Sequence, residues 1–271
     1  MNYLDNIMKN KVPVITFDSL SSTSLVSHGF STRKGGVSKG YFSTMNLGLT
    51  RGDNENDVKE NFRIMAEVLE MPYEDMVLSH QTHTVNVRIV TSEDKGKGII
   101  KPKDYNDVDG LITNVPGIPL VTFYADCVPL FFLDTKNKVI ALSHSGWRGT
   151  VNKMGCVTVK TMEKEYGSRP EDIIACIGPS ICQKCYEVSK DVADEFEKAF
   201  KSSEMFYRKE NGKYQLDLWK ANEMVLLEAG IDISHIENRR ICTCCNSNHL
   251  FSHRASNGKR GNLGAFMMLK T

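Results

Sequence analysis

Cys127 in "YADCVPLFFLD" and His144 in "IALSHSGWRG" stand seventeen positions apart, and each interrupts a run that otherwise reads as buried strand. Asp126 adds a carboxylate beside the cysteine. A thiolate and an imidazole are costly to bury unless they share a cation. "SHQTH" offers a third ligand, His80 or His83, at the mouth of a strand rather than along a helix. Two imidazoles and a thiolate form a three-ligand zinc set whose fourth position stays open, the arrangement of a catalytic site. Such an ion lowers the pKa of bound water to about 7 and polarises the centre under attack. The same donors form the core of a blue-copper centre, so copper is the second metal they suit. The simpler reading is a small buried thiol and a hydrogen-bonded core histidine, because unpaired cysteine is among the most buried residue types.

These residues need a sheet to hold them. "GIPLVTFYADCVPLFFLD", "TKNK" and "VIALSHSGW" read as strand, strand, turn and strand, apolar enough to be covered on both faces. "LVSHGFSTRKGGVS" reads as a short strand entering a turn, and Val85, Val87 and Ile89 alternate with polar neighbours as in a half-buried strand. Val58, Phe62, Met65, Ala66 and Leu69 predict a helix, with Asp57 and Glu60 as its capping box. An apolar stripe through Val151, Met154, Val157 and Met162 predicts a helix from Arg148 to Tyr166, ended by Gly167. "SKDVADEFEKAF" and "LDLWKANEMVLLEAG" read as amphipathic helices, the second capped by Asp217. "KGKGIIKPKDYND" reads as a polar surface excursion, and the last thirty or so residues as two strands joined by an arginine-rich loop. Interleaved strands and helices indicate α/β or α+β class, with a central mixed sheet or sheets flanked by helices. Without a repeat or linker, one domain over residues 1–271 is expected.

Lysine and arginine total 34 against 33 acids, which excludes a basic field for nucleic acid or an anionic membrane and favours a small polar or anionic substrate. The N-terminus lacks a signal-peptide core, and the run from Ile118 to Leu133 is too short and too polar at Asp126 to span a bilayer. A soluble cytoplasmic protein with reduced thiols is expected. Cys242, Cys244 and Cys245 could form a second metal site with Cys182 and Cys185, although buried thiols are the default.

The stretches "GFSTRKGGVS", "NLGL", "DNENDVKENFR", "HQTH", "DVDGLIT", "ADCVPL", "SHSGWRG", "IGPSIC" and "FSHRASNGKRG" resemble, in this order, the YfiH-like family, also called laccase-domain or purine nucleoside phosphorylase proteins. The resemblance runs over nearly the whole chain. It implies that His83, Cys127 and His144 bind catalytic zinc, with Gln81 setting the spacing that favours His83 over His80. His80 then stands behind the ligands or on an exposed loop. The segment between His83 and "DVDG" is longer than in several relatives, and "CTCC" stands where relatives tend to keep one cysteine.

The activities implied are phosphorolysis of adenosine, inosine and methylthioadenosine and hydrolytic deamination of adenosine, a transferase and a hydrolase reaction. For deamination, Asp126 is the nearest acid/base candidate. For phosphate, Arg33, Arg148 and Arg254 match the family's arginines, and the helix begun after Trp147 adds backbone donors. Asn46 is a candidate partner for sugar or base. Copper-dependent polyphenol oxidation and zinc amidase editing of peptidoglycan precursors are the alternatives within the family, and a structural zinc module is the one outside enzymology. Seven histidines and no His-x-His pair argue against a multicopper oxidase. The partners implied are a purine nucleoside and phosphate, with no nucleic acid or membrane, acting on a monomer or homodimer.

Overall fold

The apolar runs around Cys127 and His144 form the antiparallel hairpin Val128–Asp134 and Val139–Ser145. Asp134 closes it by accepting hydrogen bonds from the backbone N–H groups of Lys136 and Asn137. In a computed structural model that describes residues 3–202, 205–209 and 211–271, this hairpin lies in the middle of a six-stranded mixed sheet. Ile173–Ile177 and then Ile236–Asn238 extend it on one side, and Gly110–Thr113 and then Val87–Ile89 on the other.

A second mixed sheet is built from Val14–Ile15, Val26–Ser31, Leu263–Leu269, Leu120–Tyr124 and Val77–Leu78 in that spatial order. Phe30, Tyr124 and Met267 from this sheet share one core with Phe131, Leu133 and Leu142 from the first. Successive strand residues point to opposite faces, so Leu130, Phe132 and Ala141 fall on the far side, under the helices Met154–Tyr166, Lys190–Phe200 and Leu218–Glu228. The helix Glu55–Val68 covers the outer face of the second sheet through Val58, Phe62 and Met65. The order of layers is helix, sheet, sheet, helix, which explains why both strands of the hairpin are buried along their whole length. A three-stranded antiparallel sheet, Glu187–Val188, Tyr214–Leu216 and Phe206–Arg208, is hydrogen-bonded to neither and packs Val188 and Leu216 into the helix-side core.

Three local expectations change. Asn54, not Asp57, caps the first long helix by accepting from Asn56 N and Asp57 N; Glu55 and Asp57 lie inside the first turn, where acids suit the helix dipole. The stripe from Arg148 to Tyr166 is two helices, Trp147–Val151 and Met154–Tyr166. Lys153 adopts φ 61° between them, and its ammonium pairs with Glu228 at 2.8 Å. The last thirty or so residues hold one strand, Leu263–Leu269, where two were expected: "ICTCC" is turn, touching sheet structure only where Cys242 bridges Ser180. No helix among the described residues is long and apolar enough to cross a membrane.

Phe131 is fully buried between the sheets and packs on Phe17 at 5.0 Å between ring centroids. Phe131→Ala is expected to cost about 3–5 kcal/mol in urea unfolding, whereas Leu227→Ala, at a side chain 41% exposed, should stay within about 0.5 kcal/mol.

Candidate metal centre

Leu120–Tyr124 belongs to one sheet and Val128–Asp134 to the other, so Ala125, Asp126 and Cys127 carry the chain across the gap. This crossing requires φ 92° at Asp126, a region that side chains rarely occupy. The strained turn is held from three directions. Ile181 N donates to the Asp126 carbonyl at 3.0 Å, Thr243 Oγ1 to Oδ1 at 2.6 Å and Arg254 N to Oδ2 at 2.7 Å. Cys127 is thereby fixed at the entrance to its strand.

His144 sits at the end of the partner strand, opposite Pro129. Its Nδ1 lies 2.7 Å from Oδ1 of Asp109, a fully buried carboxylate just before the strand Gly110–Thr113. That bond assigns the Nδ1 proton and leaves Nε2 free as a ligand. Asp109 also accepts from the backbone N–H groups of Thr82, His83 and Thr84, which fixes the turn carrying the second imidazole. His83 itself has φ 68°. Gln81 ties the same turn to the other sheet, its amide exchanging two hydrogen bonds of 2.7 Å with the Phe123 backbone as a neighbouring strand would.

The donor atoms of His83, Cys127 and His144 all lie within 4.8 Å of one another, with Cys127 Sγ 4.0 Å from His83 Nε2. Burial alone would push the Cys127 thiol up, but the two imidazoles outweigh it and bring it down to about 6. For His144, burial opposes protonation, yet the Cys127 sulfur and Asp109 raise it to about 9. This is the electrostatics of a thiolate facing imidazoles. Gly146 makes room for them: a Cβ there would stand 3.0 Å from both Cys127 Sγ and His83 Cδ2. Two nitrogens and a sulfur that converge, a carboxylate that orients one ring and a glycine that clears the space fit a tetrahedral divalent ion with one open position. His80 is not part of this set; its Nδ1 accepts from Asp107 N at 3.3 Å.

The triad lines a cavity of about 340 Å³, within the range of small-molecule sites. Phe123 and Tyr124 give it aromatic surface, and Arg51, Lys103 and Arg260 give it positive charge; no carboxylate lines it among the described residues. Burial draws the Arg260 guanidinium down to about 10, and its Nε has no hydrogen-bond partner. Burial also lowers Lys103, which donates to the Ser79 carbonyl at 2.9 Å.

The other expected site residues are placed differently. Arg33 donates to the carbonyls of Ser43 and Ser247 and stacks on Phe251. Arg254 donates to the carbonyls of Cys185 and Glu187. Arg148 is exposed, with its guanidinium over Trp147. Asn46 is fully buried behind the cavity wall, donating to Asp53 and accepting from Gly48 N and Asn262 N. Asp109, Arg51, Lys103 and Arg260 were not singled out from sequence. "DVDG" and "NGKRG" are the stretches in which Asp109 and Arg260 could have been sought.

Residues 27–270 match the family described as multi-copper polyphenol oxidoreductase laccase. A purine nucleoside phosphorylase of Bacteroides thetaiotaomicron is 36% identical over 267 residues, covering 97% of this chain and 98% of its own. Adenosine deaminase RL5, from an unknown prokaryotic organism, is 34% identical over 83% of this chain and 87% of its own. The crystal structure of YlmD from Geobacillus stearothermophilus superposes with a TM-score of 0.87 at 35% identity, covering 92% of this chain and 93% of that one.

Asp109→Asn places an NH2 group against donors that now meet a carboxylate oxygen. Its zinc affinity, measured by competition with a chromophoric chelator, is expected to fall at least about 10-fold with the circular dichroism unchanged. His80→Ala should keep the affinity of the parent.

Proposed function

The chain belongs to the multi-copper polyphenol oxidoreductase laccase family, and from that premise we propose that it is a purine nucleoside phosphorylase with adenosine deaminase activity. The observation that carries this reading is one cavity that joins the His83, Cys127 and His144 donor set to aromatic surface and to three cations. Two relatives named for these activities support it.

Zinc is the ion we assign to the triad, since two imidazoles and a thiolate with an open position are zinc's catalytic donor set. The chemistry supplied by a divalent ion there is Lewis-acid polarisation of the group under attack. Copper oxidase chemistry of the multicopper type would need further histidine clusters. Among the described residues, the sole other group able to hold a metal consists of four cysteines.

In phosphorolysis of adenosine, inosine or methylthioadenosine, a phosphate oxygen bonds to C1′ as the bond to the purine nitrogen breaks, giving the sugar 1-phosphate and free base. Arg51, Lys103 and Arg260 supply the positive wall that phosphate requires, with guanidinium donors suited to paired oxygens. We therefore assign the phosphate to these residues. Arg33 and Arg254, committed to backbone carbonyls, act instead in fixing loops. Phe123 and Tyr124 offer faces to a purine. In deamination, water adds at C6 and ammonia leaves, which requires a group that moves protons. Asp126 has both oxygens engaged and acts as the anchor of the Cys127 crossover, so we assign the proton transfers to His80, the imidazole on the cavity wall outside the ligand set. Asn46 is a positioning residue that holds Gly48 and Asn262 at the cavity rim.

Metal-replete protein incubated with adenosine and phosphate is expected to give adenine, inosine and hypoxanthine, resolved by chromatography. Cys127→Ala should give none, and equal turnover by both proteins would end the assignment. Arg260→Gln separates the two reactions: loss of one charge-assisted phosphate contact is expected to lower phosphorolysis roughly 10–100-fold while deamination, which uses no phosphate, continues.

A further inference from the structure

Four more cysteines converge away from the cavity. Cys182 and Cys185 bracket the turn after the strand Ile173–Ile177, and Cys242 and Cys245 the turn after Ile236–Asn238. Each pair has C-x-x-C spacing, and the two strands before them run parallel. The two chain segments stay side by side: Ser180 N donates to the Ile241 carbonyl and Thr243 N to the Ser180 carbonyl, both at 3.1 Å.

The sulfur atoms of Cys182, Cys185, Cys242 and Cys245 all lie within 4.8 Å of one another. Cys185 Sγ is 3.4 Å and Cys182 Sγ 3.9 Å from Cys245 Sγ. A disulfide would bring two of them to about 2.05 Å. A single tetrahedral ion with Zn–S bonds of about 2.3 Å spaces its sulfurs about 3.8 Å apart, close to what is found. Iron–sulfur cubanes place each cysteine on a separate iron and need a wider ring. Backbone N–H groups of Cys182 and Cys245 both point at Cys242 Sγ from 3.3 Å, the donors that a metal-bound thiolate accepts. Four thiolates at this spacing repel one another without a cation between them. Cys244, the fifth cysteine of this region, is not part of the converging group.

The geometry points to a second, structural zinc site formed by Cys182, Cys185, Cys242 and Cys245, with all four positions filled by protein. Its ion cross-links the same two segments that clasp the crossover before Cys127: Ile181 N and Thr243 Oγ1 both hold Asp126. Arg254, which binds Asp126 through its backbone N–H, reaches the Cys185 carbonyl with its guanidinium at 3.0 Å. The cross-link therefore stands directly behind one ligand of the cavity site, and its loss should loosen that ligand without removing a donor.

The test is metal content of the full chain, by plasma mass spectrometry after zinc loading and desalting, together with the zinc X-ray absorption spectrum. Wild type should carry two zinc ions per chain, and Cys127→Ala and the double variant Cys182→Ser, Cys245→Ser one each. The zinc kept by Cys127→Ala should show a four-sulfur shell. That measurement leaves the four cysteines intact, so it decides the matter even where the double variant fails to fold. No zinc in Cys127→Ala, a shell containing nitrogen, iron in place of zinc, or a disulfide among these cysteines in non-reducing peptide mapping would each overturn the proposal. Wild type with one zinc in a four-sulfur shell would leave it standing and remove the cavity site instead.

Discussion

A single buried carboxylate sets the geometry of the cavity. Asp109 has no exposed surface, yet it accepts hydrogen bonds from the His144 ring and from three successive backbone N–H groups around His83. Burial favours the neutral acid, but the His144 imidazole and these donors outweigh it and hold the group below the ordinary carboxylate range. Two ligands from elements sixty residues apart are thus referred to one fixed charge. Second-layer partners of this kind orient the ligands and raise their basicity.

The third ligand depends on a different constraint, the passage of the chain from one sheet to the other. The two sheets share an apolar core, so the link between Tyr124 and Val128 must be short, and Asp126 takes up the strain in a positive φ. Its carboxylate and carbonyl are then pinned by segments from far along the chain. Backbone strain is often stored at functional sites, and here both His83 and Asp126 carry a positive φ. The four-cysteine cluster closes this scheme from behind.

Much of this was legible in the residues, for identifiable reasons. The apolar hairpin announced itself because it is covered on both faces, and Cys127 and His144 stood out as ionisable groups within it. The residues alone leave His80 and His83 open, and it is the family resemblance around Gln81 that favours His83; the Gln81 amide clamps the Phe123 backbone. Asp126 was harder to read, since a carboxylate beside a ligand suggests proton transfer and only the folded chain reveals Thr243 and Arg254 at its oxygens. The cationic wall was invisible for a similar reason. Arg51 and Lys103 lie outside the conspicuous motifs, and Arg260 shares "FSHRASNGKRG" with Arg254, where sequence alone does not tell which of the two reaches the cavity. The break at Lys153 left no mark because the apolar stripe continues through it. The two C-x-x-C pairs, some sixty residues apart, become one cluster only through the Ser180–Cys242 bridge.

The central claim is that one sulfur and two imidazole nitrogens share a single ion. Anomalous diffraction from crystals of the zinc-loaded protein, collected on both sides of the zinc edge, tests it most directly. The account predicts a peak within bonding distance of Cys127 Sγ, His83 Nε2 and His144 Nε2. A zinc-loaded crystal with no peak there, or with an ion bound by His80 in place of His83, would contradict it.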